Sequence, residues 1–312
     1  MKKYLVTGGA GFIGSNIVAK LLELGNEVRV LDNFATGKRE NLLPFENKIK
    51  LIEGSLTDLE TVRLAIKGVD YVLHQGALPS VPRSIEQPIN SNDVNISGTL
   101  NVLVASKDES VKRVVIASSS SVYGNSKILP KKEEHQTMPL SPYAVSKLTG
   151  ENYAKVFSNL FNLETICLRY FNVFGPNQNP YSQYSAVIPK FIKAIIKDES
   201  PIIFGDGLQS RDFSYVDNIV EANIMATEIE KTNGEVINIA CNDSHNLIEL
   251  VDAINSILLK NIKPTFQNER TGDVKHSYAD ISLAKNILNY EPKVNFIDGL
   301  KKTINWIQKN NF

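Results

Sequence analysis

Cysteine is nearly absent from this chain: of 312 residues only Cys167 and Cys241 carry a thiol. Both stand in apolar segments, ICLRYF and VINIACND, which predicts small buried hydrophobes and excludes a disulfide framework or a thiolate metal site. No metal centre is expected, and a reducing, cytoplasmic setting is. Net charge is lacking too, with 34 basic residues against 34 acidic ones. No block of like charge forms a tail, so nothing marks a nucleic-acid partner, and clusters such as KRE read as solvated faces. Nowhere do about 18 apolar residues run together, which excludes a membrane-spanning helix. The start, MKKYLVTGG, meets glycines after a short apolar stretch, as a first strand does and a signal peptide does not. Internal repeats and low-complexity segments are missing as well. What remains, at 42% hydrophobic content, is a soluble globular chain able to bury one large core or two smaller ones.

Short apolar runs alternate with segments of helical period through the first half: YLVTG, NIVAKLLELG, EVRVLDN, KIKLIEG, TVRLAI, YVLHQGA, GTLNVLVAS and VKRVVIAS. That alternation predicts an α/β fold, a Rossmann-type doubly wound parallel sheet with helices on both faces. Beyond residue 165 the spacing is less regular. ETICLRYFNVFG reads as a further strand, and AVIPKFIKAIIK, LIELVDAINSILLK, SLAKNILNY and NFIDGLKKTINWIQ read as helices. The division expected is a dinucleotide-binding domain at 1–165 that borrows later strands, and a smaller mixed α/β substrate-binding lobe at 166–312.

TGGAGFIG follows the first strand directly and opens a helix, setting Gly8, Gly11 and Gly14 at the turn. Such a turn needs positive φ, main chain lying against a pyrophosphate, and close helix–strand packing, and glycine permits all three. The second strand ends in LDN, so Asp32 stands where a carboxylate accepts hydrogen bonds from an adenosine ribose. Glycines serving only a tight turn are the bland alternative; the order strand, glycines, helix, strand, aspartate favours the dinucleotide. A carboxylate there repels a 2′-phosphate, which points to NAD over NADP, against the nearby charges of Lys38 and Arg39.

In SPYAVSK, Tyr143 and Lys147 are four residues apart and share one face of a helix. A free phenol, with a pKa of about 10, is a poor base at neutral pH. A neighbouring ammonium, together with the positive ring of an oxidised nicotinamide, favours the phenolate. An exposed Tyr and Lys pair is the alternative, but VVIASSSSVYG ends an apolar strand in hydroxyls at the carboxyl edge of the sheet, where open α/β folds bind ligands. Ser119 is placed to bond a sugar hydroxyl and relay its proton.

TGGAGFIG, ASSSSVYG, YAVSK, LRYFNVFGP and GDGLQSRDFSYVDN, in this order and over nearly the whole chain, resemble the extended short-chain dehydrogenase/reductase family and, within it, the nucleotide-sugar 4-epimerases. The resemblance implies Tyr143 as base, Lys147 as its modulator and ribose contact, and Ser119 as hydroxyl partner, with Ser120 and Ser121 beside it. It implies NAD contacts from Gly8, Gly11, Phe12, Ile13, Gly14, Asp32, Asn33, Thr36, Gly37, Ser55, Leu56, Gln75, Gly76, Ala77 and Tyr170. Asn95, in NISGT, resembles an asparagine near the active-site helix in the family and is implied to contact the cofactor; a plain helix N-cap is its alternative. Ser55 replaces an aspartate that the family aims at adenine. Arg211, Arg270 and Asp273 are implied to grip UDP, Phe204 to lie by the uracil, and Asn172 to bond the sugar diphosphate. A homodimer is implied as well, paired through helices at 95–107 and 143–158.

Dehydratases of this superfamily carry an Asp-Glu pair where this chain has Ser120 and Ser121, so redox-neutral epimerisation through a 4-keto sugar is expected instead. By the same resemblance Ser277 stands where plain-hexose epimerases carry a bulky tyrosine, and Ala186, followed by Val187, where they often carry asparagine. HQGALPSVPRS resembles epimerases of N-acetylated sugars, with Pro79 and Ser80 near the acetamido group. The expected reaction is UDP-N-acetylglucosamine to UDP-N-acetylgalactosamine. UDP-glucose or UDP-glucuronate, the latter through Arg83 or Lys190, is the alternative, and a non-catalytic NAD-sensing protein is the alternative from another class.

Overall fold

The protein is described from a computed structural model over residues 1–179, 186–269 and 275–310. In chain order the first half runs β1 (Lys3–Thr7), α1 (Phe12–Glu23), β2 (Glu27–Asp32), β3 (Ile49–Glu53), α2 (Leu59–Ile66), β4 (Tyr71–His74), α3 (Val81–Glu86), α4 (Pro88–Asn92), α5 (Gly98–Asp108), β5 (Arg113–Ser119), α6 (Pro142–Phe161) and β6 (Glu164–Tyr170). The second half runs β7 (Val173–Phe174), α7 (Val187–Ile196), β8 (Ile202–Phe204), β9 (Ser210–Arg211), β10 (Ser214–Tyr215), α8 (Val216–Glu228), β11 (Glu235–Ile239), β12 (His245–Asn246), α9 (Leu247–Leu258), β13 (Thr265–Gln267), β14 (His276–Ser277), α10 (Ser282–Leu288) and α11 (Phe296–Lys309).

The expected doubly wound sheet is present. Seven strands lie in the order β11-β6-β5-β4-β1-β2-β3, every neighbouring pair parallel. Strand β6 spans the expected division at 165, and β11 joins the sheet from the second half. The order reverses between β1 and β4, which opens a crevice at the carboxyl ends of those two strands. Side chains alternate across the pleat: Tyr4 and Val6 enter one apolar core with α1 and α8, while Leu5 enters another with α2, α5 and α6. Full burial of each such side chain contributes roughly 1.5–3 kcal/mol.

The start of α6 is written locally. Ser141 caps it by accepting from the Ala144 N–H at 3.2 Å, and Pro142 fills the first position, where its missing N–H costs nothing. Asn162 ends it in the left-handed region, φ 54°. Among the described residues no helix is long and apolar enough to cross a membrane.

Candidate functional site

A cavity of about 1000 Å³ fills the crevice at the switch between β1 and β4. Its floor is the glycine turn. Gly8 has φ +67°, and a Cβ there would stand 2.7 Å from Gly76 Cα at the end of β4. A Cβ on Gly14 would stand 2.1 Å from the Gly8 carbonyl oxygen, so α1 approaches the strand only as glycine. At the far side, Asp32 is nearly buried and accepts from Ala10 N at 2.9 Å and Phe34 N at 2.8 Å. Burial pushes its carboxyl up and those two N–H groups pull it back, while each oxygen keeps a lone pair for a ribose hydroxyl. Arg39 is paired with Glu53 and laid over Phe34 at 4.0 Å, and Lys38 lines the cavity. A glycine cradle, an α1 N-terminus and a carboxylate with lone pairs to spare fit NAD.

Below the cavity, His74 is wedged between Thr7 Oγ1 at 2.7 Å and Thr99 Oγ1 at 2.9 Å. Thr99 spends its proton on Asn95 O, so the imidazole donates from Nε2 and accepts at Nδ1. Burial holds this histidine neutral, its pKa down at about 3. Thr7 in turn accepts from Gly76 N at 3.1 Å, which pins the second wall of the cradle.

Tyr143 and Lys147 both line the same cavity. Lys147 Nζ lies 5.9 Å from the Tyr143 ring centroid and donates to Ala117 O at 2.8 Å. Burial pushes this lysine down to about 8. Tyr143 hydrogen-bonds Ser119, yet burial wins and raises the phenol above its ordinary value. The expectation joined the ammonium to the oxidised nicotinamide ring, and the ammonium by itself does not offset the burial. In the protein by itself the tyrosine is a phenol, and the positive charge that would make it a base has to come with the oxidised cofactor.

The cavity wall gathers Gly8, Gly11, Phe12, Ile13, Gly14, Asp32, Asn33, Thr36, Ser55, Leu56, Gln75, Gly76, Ala77 and Tyr170, and at its other end Pro79, Ser80 and Ala186. Ser55 Oγ is engaged with Thr57 Oγ1 at 2.8 Å. Gly37 stands behind the wall against Ala10. Asn95 is not a helix N-cap, and it lines neither cavity. It is buried within a π-turn at Asp93–Ser97, accepts from Leu78 N at 2.7 Å, and donates to Leu78 O at 3.2 Å and Ser146 Oγ at 3.1 Å. Its amide is spent on the protein.

A second cavity, about 290 Å³, shares Ala186 with the first and is lined by Asn172, Val187, Phe204 and Arg211. Asn172 takes positive φ, 35°, and donates to Asp212 O at 3.2 Å. Ser277 pairs with Arg211 in the β14–β9 register and lies on neither wall; Arg270 and Asp273 fall outside the described residues. Ser119, Ser120 and Ser121 also sit off both walls. Ser119 caps the turn Ser120–Tyr123, accepting from Ser121 N at 3.2 Å. Sequence reasoning missed Asn177, Gln178 and Asn179, which follow LRYFNVFGP onto the first wall, and Lys190 and Arg83 enter as wall residues of the second and first cavities.

The model of the NAD dependent epimerase/dehydratase family matches residues 4–240. A curated relative from Methanocaldococcus jannaschii, a putative UDP-glucose 4-epimerase, is 38% identical over 98% of this chain and 99% of its own length. Among solved structures, a UDP-N-acetylglucosamine 4-epimerase from Methanobrevibacter ruminantium, in complex with UDP-N-acetylmuramic acid, superposes with a TM-score of 0.95 at 42% identity, covering 99% of each chain. A UDP-glucuronic acid 4-epimerase from Bacillus cereus, in complex with UDP-glucuronic acid and NAD, gives 0.91 at 33% identity and the same coverage.

Proposed function

We propose that the chain, which belongs to the NAD dependent epimerase/dehydratase family and is an NAD-using UDP-sugar 4-epimerase, interconverts UDP-N-acetylglucosamine and UDP-N-acetylgalactosamine. The observation that carries the choice of sugar is the small-residue wall between the two cavities. Ala186 belongs to both, and Pro79 and Ser80 line the end of the first that also holds Tyr143. Room beside the sugar at that wall suits a 2-acetamido group, and the likeness to the Methanobrevibacter enzyme supports the same sugar.

Gly8, Gly11, Gly14 and Asp32 would hold NAD in the first cavity, where it would supply reversible hydride exchange with C4 of the sugar and end as it began. The chain's own part is binding and proton handling. Tyr143 removes the C4 hydroxyl proton and gives it back, with Ser119 as the hydroxyl beside it. Lys147 holds the ribose and adds positive charge near the phenol. Asn172, Phe204 and Arg211 hold the UDP end in the second cavity while the sugar turns over. Arg270, Asp273 and Ser277 complete that reading from the sequence. Exposed Val145, Val156, Leu160 and Phe161 on α6 give it an apolar strip, and we assign that strip to a homodimer, to be checked by sedimentation.

A second reading has its own support: Arg83 lines the cavity that holds Tyr143, which suits a uronic acid carboxylate, and the Bacillus enzyme bears that name. Incubating the protein separately with UDP-N-acetylglucosamine, UDP-glucose and UDP-glucuronate, without added reductant, separates them by chromatography of the 4-epimers. Preference for the acetylated sugar is expected, with Tyr143→Phe lowering its rate at least about a hundredfold. Preference for either other sugar overturns the substrate assignment, and an active Tyr143→Phe overturns the mechanism.

A further inference from the structure

Helix α6 carries a third buried polar residue in line with Tyr143 and Lys147. Glu151 lies one further turn along, so the three occupy one stripe at i, i+4 and i+8. Its side chain is only 4% exposed. One carboxylate oxygen accepts from Ser118 Oγ at 2.5 Å and Arg169 Nε at 2.8 Å; the other accepts from Arg169 Nη2 at 2.8 Å. Arg169 stands opposite Ser118 in the β5–β6 register, so adjoining strands reach one carboxylate. The remaining arm of Arg169 donates to Tyr123 Oη at 2.8 Å, and that hydroxyl donates to Asn238 Oδ1 at 2.7 Å.

Three consecutive residues at the end of β5 are thereby tied to three successive turns of α6. Ser119 acts on the Tyr143 phenol, Ala117 O accepts from Lys147, and Ser118 bonds Glu151. A slip of strand against helix that carried Ser119 away from Tyr143 would also break the Ser118–Glu151 bond. Burying the Glu151–Arg169 pair is expensive, and apolar residues of similar volume would serve mere packing as well or better.

We propose that Glu151 is a positioning residue for the epimerase reaction: anchored by Arg169, its carboxylate fixes the strand end that presents Ser119 to Tyr143 and holds the Lys147 side chain as an ammonium. This rests on the reading of Tyr143 and Lys147 given above. Burial drives Lys147 down to about 8, and the charges opposing it are those of Cys167 and Glu151. Burial also keeps the Cys167 thiol protonated well above its ordinary value, which leaves Glu151 as the operative anion. The other groups facing the lysine are His74 from β4, held neutral, Tyr143, held as a phenol, and Arg169 from β6, whose charge Glu151 offsets.

The test compares the full-length parent with Glu151→Gln from about pH 6 to 10, on whichever UDP-sugar the parent turns over. The variant is expected to lose about tenfold in kcat with KM within about twofold, and its alkaline limb is expected to move to lower pH. A profile that superimposes on the parent's, after scaling to folded protein, overturns the proposal, because a merely structural glutamate changes how much enzyme is active and not the pH at which it works. Should Glu151→Gln not fold, Ser118→Ala decides, since it cuts the tie to β5 without stranding a charge. A fall in kcat of about threefold or more at unchanged melting temperature supports the proposal, and an unchanged kcat overturns it. NADH binding, followed by the cofactor's own fluorescence over the same range, needs no turnover. Binding that weakens at lower pH in Glu151→Gln supports the proposal, and coincident curves overturn it. A parent that turns over no UDP-sugar sinks the substrate reading, while the binding curves still decide the effect of Glu151 on Lys147.

Discussion

Gly14 is where a single atom decides how closely α1 can approach the glycine turn. The nearest neighbours of an added Cβ are backbone, the Gly8 carbonyl oxygen at 2.1 Å and Gly9 Cα at 2.8 Å, so no side-chain rotation makes room. Gly14→Ala must push α1 away from the turn, and the N–H groups at the start of that helix then no longer converge on a pyrophosphate. NADH titration of the variant is expected to show affinity down by about tenfold or more. Affinity equal to the parent's would mean that the turn is not the phosphate cradle. This residue was legible in the sequence because its neighbours are local: strand, turn and helix follow one another within TGGAGFIG. Tyr143 and Lys147 were legible for the same reason, four residues apart on one helix. Glu151 was not, although it continues their stripe, because its meaning comes from Ser118 and Arg169, which the β5–β6 register brings to it.

Elements are held in place by groups that the sequence gives no reason to connect. Asn95 joins the loop after β4 to α6: Leu78 gives it a backbone N–H and a backbone C=O, and Ser146, 51 residues away, a hydroxyl. Read locally, NISGT looks like a cap. In the fold the π-turn Asp93–Ser97 swings the side chain inward instead, and the residues after Leu78 are Pro79 and Ser80 on the cavity wall. Asn95→Ala leaves two buried backbone groups without partners, which costs about 2–3 kcal/mol. Urea unfolding is expected to show that loss, with a raised KM for the UDP-sugar where enough protein folds. Unchanged stability would mean that water replaces the amide. The helices α7, α9 and α11 were visible from their apolar period, as were the first six strands of the sheet. Strands β7, β9, β10, β12 and β14 have two residues each, too few to show any period, and of them β7 and β9 give the second cavity Val173, Phe174 and Arg211.

At the scale of the molecule, the second half is gathered around one buried carboxylate. Asp212, directly after β9, is fully buried and accepts from Cys241 N at 2.8 Å and Ala279 N at 3.4 Å, with a further bond from the Asn242 backbone. It thus ties the segment carrying Arg211 to the chain leaving β11 and to the chain leaving β14. Burial outweighs these donors and pushes its carboxyl up to about 7. A folded-state pKa raised above the unfolded value of about 3.9 means that the unfolded chain ionises first. The contribution of Asp212 to stability is therefore fully present below about pH 4 and is lost as pH climbs to about 7, by up to about 4 kcal/mol. Asp212→Asn cannot ionise. Its amide keeps an acceptor for one N–H and sets a donor against another, a cost that does not vary with pH. The variant's melting temperature relative to the parent's is therefore expected to rise from about pH 5 to about pH 7 and then level off by about pH 8, whatever its starting offset. A constant offset across that range would mean that the three backbone N–H groups hold the folded carboxylate at its ordinary acidity, and that this junction stabilises the fold equally at every pH.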